Sequence, residues 1–469
     1  MSKESRLIKN TAIIAVGNIG MKLVSFLMFP LYTAVLTTSE YGTVDFIIVI
    51  GTLLFHLFSL QLQQGAFRFL IEARENKDQI SRIITTTTLC LLVSMGNLVL
   101  LTGILWGLTK YQYTFYIGAF VALLVLSDTV LYISRGLGDN TTYTIGSTLG
   151  GTLRILLNVL FVAVLRIGVK GMLWAELMAS VTSMLYPFFR LKLWQYLSLK
   201  AADISLLNLL CRYSFPLIPY TLCWWIVGAC DRISLSLFLG TAANGIYSAA
   251  GKFSSTFTLV TGIFQTSWTE SASENVNVGD RNGFYHAVLN KTIRFYSSAN
   301  IGIIALLPFV FPILIHDNFA EAYLYIPVLM SAALLHAVAN LFGSVYTAFK
   351  RTKQIAMTTV LSAIMNVVIN IACIPYFGIY AAAFSTLTAY GLIAIIQYGG
   401  TRAMVAYRLP WRYLLVEAMV YTVVLSAYYS GNMAIQFLAL LLLVPYCCYQ
   451  NRDILRGLLQ ILLSKCKKK

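Results

Sequence analysis

Leu36-Thr37-Thr38-Ser39-Glu40-Tyr41-Gly42 is a short polar stretch between two long apolar runs, and a version of it returns as Leu239-Gly240-Thr241-Ala242-Ala243-Asn244-Gly245, again between two apolar runs. A second correspondence lies further along, where Arg154, Asn158 and Gly168 match Asn366, Asn370 and Gly378. Around these anchors the apolar runs fall at about 9–36, 42–66, 82–108, 113–135, 142–167 and 169–194. A more polar stretch, 195–208, follows. The next runs are 209–239, 244–270, 287–315, 321–348, 353–376 and 378–401, with 411–430 and 432–450 outside the repeat. A helix needs about 20 apolar residues to cross a bilayer, whereas barrel strands give alternating segments of about ten. The expected fold is therefore an all-α integral membrane protein with about 14 transmembrane helices. Six runs per copy is an even number, so both copies start on the same side, the parallel arrangement seen in transporters. The expected organisation is an N-terminal lobe at 1–194, a cytoplasmic linker at 195–208, a C-terminal lobe at 209–401, two further helices at 402–450 and a basic amphipathic tail at 451–469.

Composition supports this reading. The chain is 58% hydrophobic and 11% charged, with a mean hydropathy of +0.75. A soluble domain carries about 25% charged residues, so this chain cannot cover itself for water. The net charge of +16 comes from 34 Lys and Arg against 18 Asp and Glu. Basic residues concentrate in cytoplasmic loops. With the N-terminus inside, only Lys110, Arg166 and Lys170 fall in outer loops and only Lys22, Arg154, Arg232 and Lys252 within runs; every other Lys and Arg is inside. Both termini are thus expected in the cytoplasm. No nucleic-acid module accompanies the basic charge, so nucleic acid is not an expected partner. The eight cysteines show no metal-ligand spacing, and no nucleotide-binding loop is present. No metal or cofactor is expected.

An ionisable side chain inside a span costs roughly 2.5–3.5 kcal/mol on insertion scales, so it usually faces a cavity or a partner. Lys22, Arg154 and Lys252 lie too deep to reach water easily, and Arg232 follows Asp231 near the outer end of the seventh run. A cavity lined with such cations attracts an anion, and Arg forks well onto phosphate oxygens. A position-only reading leaves Asp231–Arg232 as an interfacial ion pair. Asp128, Asp231, Glu176 and His336 are the candidates for ion coupling. Against that, Asp128 could simply pair with a cation such as Arg154, and His336 could be a satisfied packing residue.

Several stretches together resemble a known family. They are Asn10-Thr11-Ala12 with Gly17-Asn18, Pro30-Leu31-Tyr32, Leu36-x5-Gly42, Asp231-Arg232, Phe238-Leu239-Gly240, Gly245-Ile246-Tyr247-Ser248-Ala249-Ala250-Gly251-Lys252, and Asn366-x3-Asn370 before Gly378-Ile379-Tyr380-Ala381-Ala382. In order and spacing the chain resembles Wzx-type polysaccharide flippases, which move O-antigen or capsule repeat units and belong to the multidrug/oligosaccharidyl-lipid/polysaccharide exporter superfamily. The resemblance implies two six-helix lobes around a central cavity in the bacterial cytoplasmic membrane. It implies alternating access that carries an undecaprenyl-pyrophosphate-linked oligosaccharide from the inner to the outer leaflet, without catalysis. It also implies membrane lipids, a polysaccharide polymerase and other assembly proteins as partners, and H+ or Na+ as coupling ion. Lys22, Arg232 and Lys252 sit where such flippases place cavity cations; Arg154 has no such counterpart.

Two other functions are open to this sequence. An ion-coupled exporter of small molecules or drugs with the same fold needs deep carboxylates, of which there are few. An intramembrane enzyme of polymer synthesis typically uses large external loops, and the outer loops here are short.

Overall fold

The computed structural model describes residues 26–276, 280–409, 411–453 and 456. Lys22 and nearly all of the 451–469 tail lie outside the described residues. Among the described residues every regular element is helical: α1 Phe29–Val35, α2 Thr38–Phe58, α3 Leu62–Ala73, α4 Lys77–Thr109, α5 Thr114–Gly136, α6 Asn140–Asn158, a π-helical turn Val159–Val164, α7 Val169–Arg190, α8 Ile204–Ser214, α9 Leu217–Phe238, α10 Thr241–Glu274, α11 Arg281–Leu314, α12 Ala322–Ala348, α13 Thr352–Phe377, α14 Ile379–Val405, α15 Trp411–Tyr429 and α16 Met433–Gln450. Ten of the described helical stretches are long and apolar enough to cross a membrane. The runs at 169–194, 244–270 and 411–430 are also helices, but polar and charged residues such as Lys170, Glu176, Lys252, Arg412 and Glu417 dilute them. The chain divides into two compact units, Met1–Ser248 and Ala249–Lys469.

In the first unit the polar turn 36–42 starts α2 by a capping box. The Thr37 side chain accepts from the Glu40 amide, and the Glu40 carboxylate accepts from the Thr37 amide at 2.9 Å. The second run, expected to be one continuous helix over 42–66, is instead two. Leu60 and Gln61 both take left-handed backbone, φ 48° and 53°, and end α2 at a buried bend before α3. Irregular backbone at membrane depth must find partners within the protein. Here the Ser94 hydroxyl of α4 donates to the Phe58 carbonyl at 2.6 Å. The seventh run is likewise split, into α8 and α9, at Phe215-Pro216. The stretch expected as a linker holds two 3-10 turns, and Asp203 caps α8 through the amides of Ser205 and Leu206.

Lipid is as apolar as leucine, so helices in a bilayer associate through close packing of small residues. The α6–α7 contact shows this. A Cβ at Gly150 would collide with the Ser183 side chain and stand 2.8 Å from the Ala179 carbonyl, and one at Gly146 would stand 2.7 Å from Pro187. In the second unit the matching helices α13 and α14 are joined by a polar core. The Ser385 hydroxyl donates to Asn370 Oδ1 at 2.7 Å, and Asn370 Nδ2 to Asn366 Oδ1 at 3.2 Å. At the far end of that unit Tyr323 and Tyr428 stack at 4.1 Å. Each hydroxyl donates to the other's carbonyl, at 3.2 and 2.7 Å, tying α12 to α15.

The repeat is visible in the backbone. Gly168 (φ 65°, ψ −137°) and Gly378 (φ 60°, ψ −140°) take the same conformation before α7 and α14, a region open only to glycine. Between Asn158 and Gly168 the first copy holds the π-helical turn, whereas α13 runs unbroken to Phe377. That turn lies where the first copy is longer, so the spacing from Arg154 to Gly168 exceeds that from Asn366 to Gly378.

Candidate functional site

The two copies of the polar turn meet. The Ser39 and Thr241 hydroxyls are 2.9 Å apart. A Cβ on Gly42 would run into the Thr241 carbonyl, and a Cβ on Gly245 would run into that of Thr38. The reciprocity is that of a local two-fold axis, because Thr38 and Gly42 correspond to Thr241 and Gly245. One turn deeper, Asp45 accepts from Ser248 Oγ at 2.7 Å, residues separated by the repeat offset of 203. Asn244 reaches both sides of the contact, donating to the Gly42 carbonyl at 3.0 Å and to Asp45 at 3.3 Å.

Arg232 joins the same carboxylate, with Nη1 3.3 Å from Asp45 Oδ1 and side-chain exposures of 34% and 15%. Its partner is therefore not the neighbouring Asp231, as position alone suggested. Helical geometry points adjacent residues to different faces. Asp231, 3% exposed, instead accepts from the Tyr247 hydroxyl at 2.6 Å. Asp45 is the residue that sequence reasoning missed. The signal available was the repeat itself, since Asp45 stands where the second copy has Ser248.

Arg154 lies midway along the fifth run and pairs with Glu176 of α7 at 3.1 Å, while the cation whose charge reaches Asp128 is Arg135 of the same helix as Asp128. The pair is asymmetric: Arg154 is 46% exposed and Glu176 13%. Glu176 neutralises part of the charge while the guanidinium keeps an open side. Beside it Asn158, 4% exposed, has an Oδ1 with no hydrogen-bond partner among the described residues, just before the π-helical turn. Such turns are frequent at functional sites. Asp128, on α5, faces the Gln63 amide of α3.

In the second unit His336 takes a 3.2 Å hydrogen bond with Asn340 and packs at 4.5 Å on Tyr390. Lys252 is half-buried on α10. No group of three or more His, Cys, Asp or Glu side chains suited to a metal occurs among the described residues.

The profile of a family described as polysaccharide biosynthesis protein matches residues 7–268. No curated protein sequence matches the chain. Among solved structures, the lipid II flippase MurJ in an inward closed conformation is similar to it, with a TM-score of 0.69 at 13% identity over 95% of this chain and 100% of that one. A multidrug resistance MATE family transporter of the MOP superfamily is also similar. Its outward-facing conformation gives a TM-score of 0.55 at 15% identity, over 85% of this chain and 96% of that one. The inward-facing conformation gives 0.58 at 14%, over 81% and 98%. These likenesses give the fold.

Proposed function

The chain belongs to the polysaccharide biosynthesis protein family, a multi-pass membrane protein with the fold of flippases and transporters, and from that premise we propose that it is a flippase for an undecaprenyl-pyrophosphate-linked oligosaccharide. It moves the repeat unit from the inner to the outer leaflet of a bacterial cytoplasmic membrane, for a surface polysaccharide such as O-antigen or capsule. The lobes are 1–194 and 209–401, and both termini are cytoplasmic, which puts the 36–42 and 239–245 turns on the outer side.

The observation that carries this reading is the reciprocal closure around Gly42 and Gly245. Two repeat-related helix starts seal one end, and the seal is made of breakable parts: one partly exposed ion pair and a few hydrogen bonds. Opening it separates Asp45 from Arg232 and leaves that cation without its carboxylate. Alternating access requires such an end, closed in one state and open in another. Arg154, open on one side and fixed by Glu176 on the other, suits an anionic headgroup, since Arg binds phosphate in a bidentate manner. Lys22, Arg232 and Lys252 are each proposed as further contacts for the diphosphate.

The test is a deletion strain complemented with Lys22→Ala, Arg154→Ala or Lys252→Ala. Surface polysaccharide should fall and the lipid-linked unit should accumulate in the inner leaflet, while the protein inserts normally. Normal polysaccharide in both Lys22→Ala and Lys252→Ala would falsify the anionic-headgroup mechanism. Drug resistance on overexpression, with polysaccharide unaffected by deletion, favours the exporter.

A further inference from the structure

The second span is broken where it is buried. Ser59, Gln61 and Gln63 are 0%, 1% and 2% exposed. Two successive left-handed residues without glycine are costly and persist only where the surroundings enforce them. On one side the enforcement is visible. Gln61 Nε2 lies 3.3 Å from His56 Nδ1, and Gln61 Oε1 accepts from Gln64 at 2.8 Å. Gln63, just beyond the bend, faces Asp128 of α5. Its Oε1 is buried and has no donor among the described residues.

A primary amide and a carboxylate share only the amide N–H, so the amide oxygen stays unpaired. An amide and a carboxylic acid close a ring of two bonds, with the acid O–H on the amide oxygen and the amide N–H on the acid carbonyl. Protonating Asp128 therefore supplies the donor that Gln63 lacks. Among the described residues, Arg135 and Tyr132, both on α5, carry charge that reaches Asp128, while α3 faces it with the neutral Gln63.

We propose that Asp128 and Gln63 form a proton-binding pair at the hinge of the second span, and that the proton is the coupling ion. Binding one proton from water makes one O–H bond, removes one negative charge and adds a second hydrogen bond between α3 and α5. Returning the proton to water removes that bond and leaves the Gln63 oxygen buried and unpaired, which favours release of α3 from α5. This deepens the transport reading and depends on it for its purpose.

The experiment uses the full chain in proteoliposomes, with infrared difference spectra recorded over a pH titration. A carboxylic-acid C=O band should grow as pH falls, be lost in Asp128→Asn and shift to higher frequency in Gln63→Leu. Asparagine keeps the amide-to-amide ring, so Asp128→Asn should melt with the wild type. A band retained in Asp128→Asn, or unmoved in Gln63→Leu, overturns the pair. Suppression of the band by sodium in place of choline at fixed pH overturns the proton as occupant. Flipping of the lipid-linked unit is read in the same vesicles, and an imposed pH gradient should change its rate in wild type and not in Asp128→Asn. Flipping indifferent to the gradient in wild type overturns the coupling and leaves the flippase standing. An intact Asp128 band without flipping leaves the proton pair standing and overturns the flippase.

Discussion

Replacing Gly245 by alanine adds one methyl group at the closest approach of the two turns. The new Cβ would stand 2.9 Å from the Thr38 carbonyl carbon and 3.2 Å from the Gly42 nitrogen. Ordinary carbon contacts sit at about 3.5–4.0 Å, so the helix starts must part by roughly 1 Å. Overpacking of this kind costs about 1–3 kcal/mol, which lowers the closed population by about 5- to 150-fold. Alanine is the better helix former by about 1 kcal/mol, so a loss cannot come from propensity. Gly251→Ala on the same helix is the control, since a Cβ there meets nothing within 4 Å among the described residues. The readout is disulfide formation between Ser39→Cys and Thr241→Cys, placed where the two hydroxyls are 2.9 Å apart, in a chain whose eight native cysteines are replaced. The pair should cross-link readily in the parent, stop flipping until reduced, and cross-link many-fold more slowly with Gly245→Ala. Equal rates in Gly245→Ala and the parent would refute closure by glycine contact.

Other expectations follow from neighbouring contacts. Asp45→Ala and Arg232→Ala should each cost about 1.5–3 kcal/mol in melting experiments, and the exchange Asp45→Arg with Arg232→Asp should recover part of the loss; full additivity of the two single losses would count against the pair. Gly150→Val should destabilise α6 on α7 by about 1–3 kcal/mol, whereas Gly96→Ala, with open space around it inside α4, should not destabilise and should gain up to about 1 kcal/mol. Tyr428→Phe should cost about 1 kcal/mol through loss of the bond to the Tyr323 carbonyl. The Asp203 carboxyl is held below the usual carboxylate range by the Ser205 hydroxyl, with the Leu206 amide and Arg82 adding to it. A depressed value means that its contribution is present above the unfolded value of about 4 and lost as pH falls through the folded one. Corrected for the intrinsic exchange rate, the protection of the first amides of α8 should therefore fall in acid, and Asp203→Ala should show the low protection at every pH.

The all-helical membrane architecture was legible because burial in lipid writes itself as long apolar runs. The duplication was legible because Gly168 and Gly378 take backbone that other residues do not, and Gly42 and Gly245 leave no room for a Cβ. The bend at Ser59–Gln61 was not. Neither Leu60 nor Gln61 favours left-handed backbone, so the conformation is imposed by contacts made only in the folded chain. Asp45 was passed over for a related reason. It stands a few residues inside its run, where a charge near a span end needs no explanation, and only the approach of Arg232, Asn244 and Ser248 makes it central. Arg154 and Glu176 were each visible as intramembrane charges. Their pairing depends on how α6 and α7 pack, which the close contact at Gly150 sets.

Residues on the local two-fold carry a constraint that ordinary core positions do not. Were the two copies identical, each position on the axis would face itself, and an aspartate at 45 would meet an aspartate at 248, two carboxylates within hydrogen-bonding distance. Serine at 248 turns that repulsion into a hydrogen bond. A homodimer of identical half-length chains could not make this arrangement, because both subunits would have to carry the same residue. A single chain with two diverged copies can, and the carboxylate it keeps is left free to select Arg232.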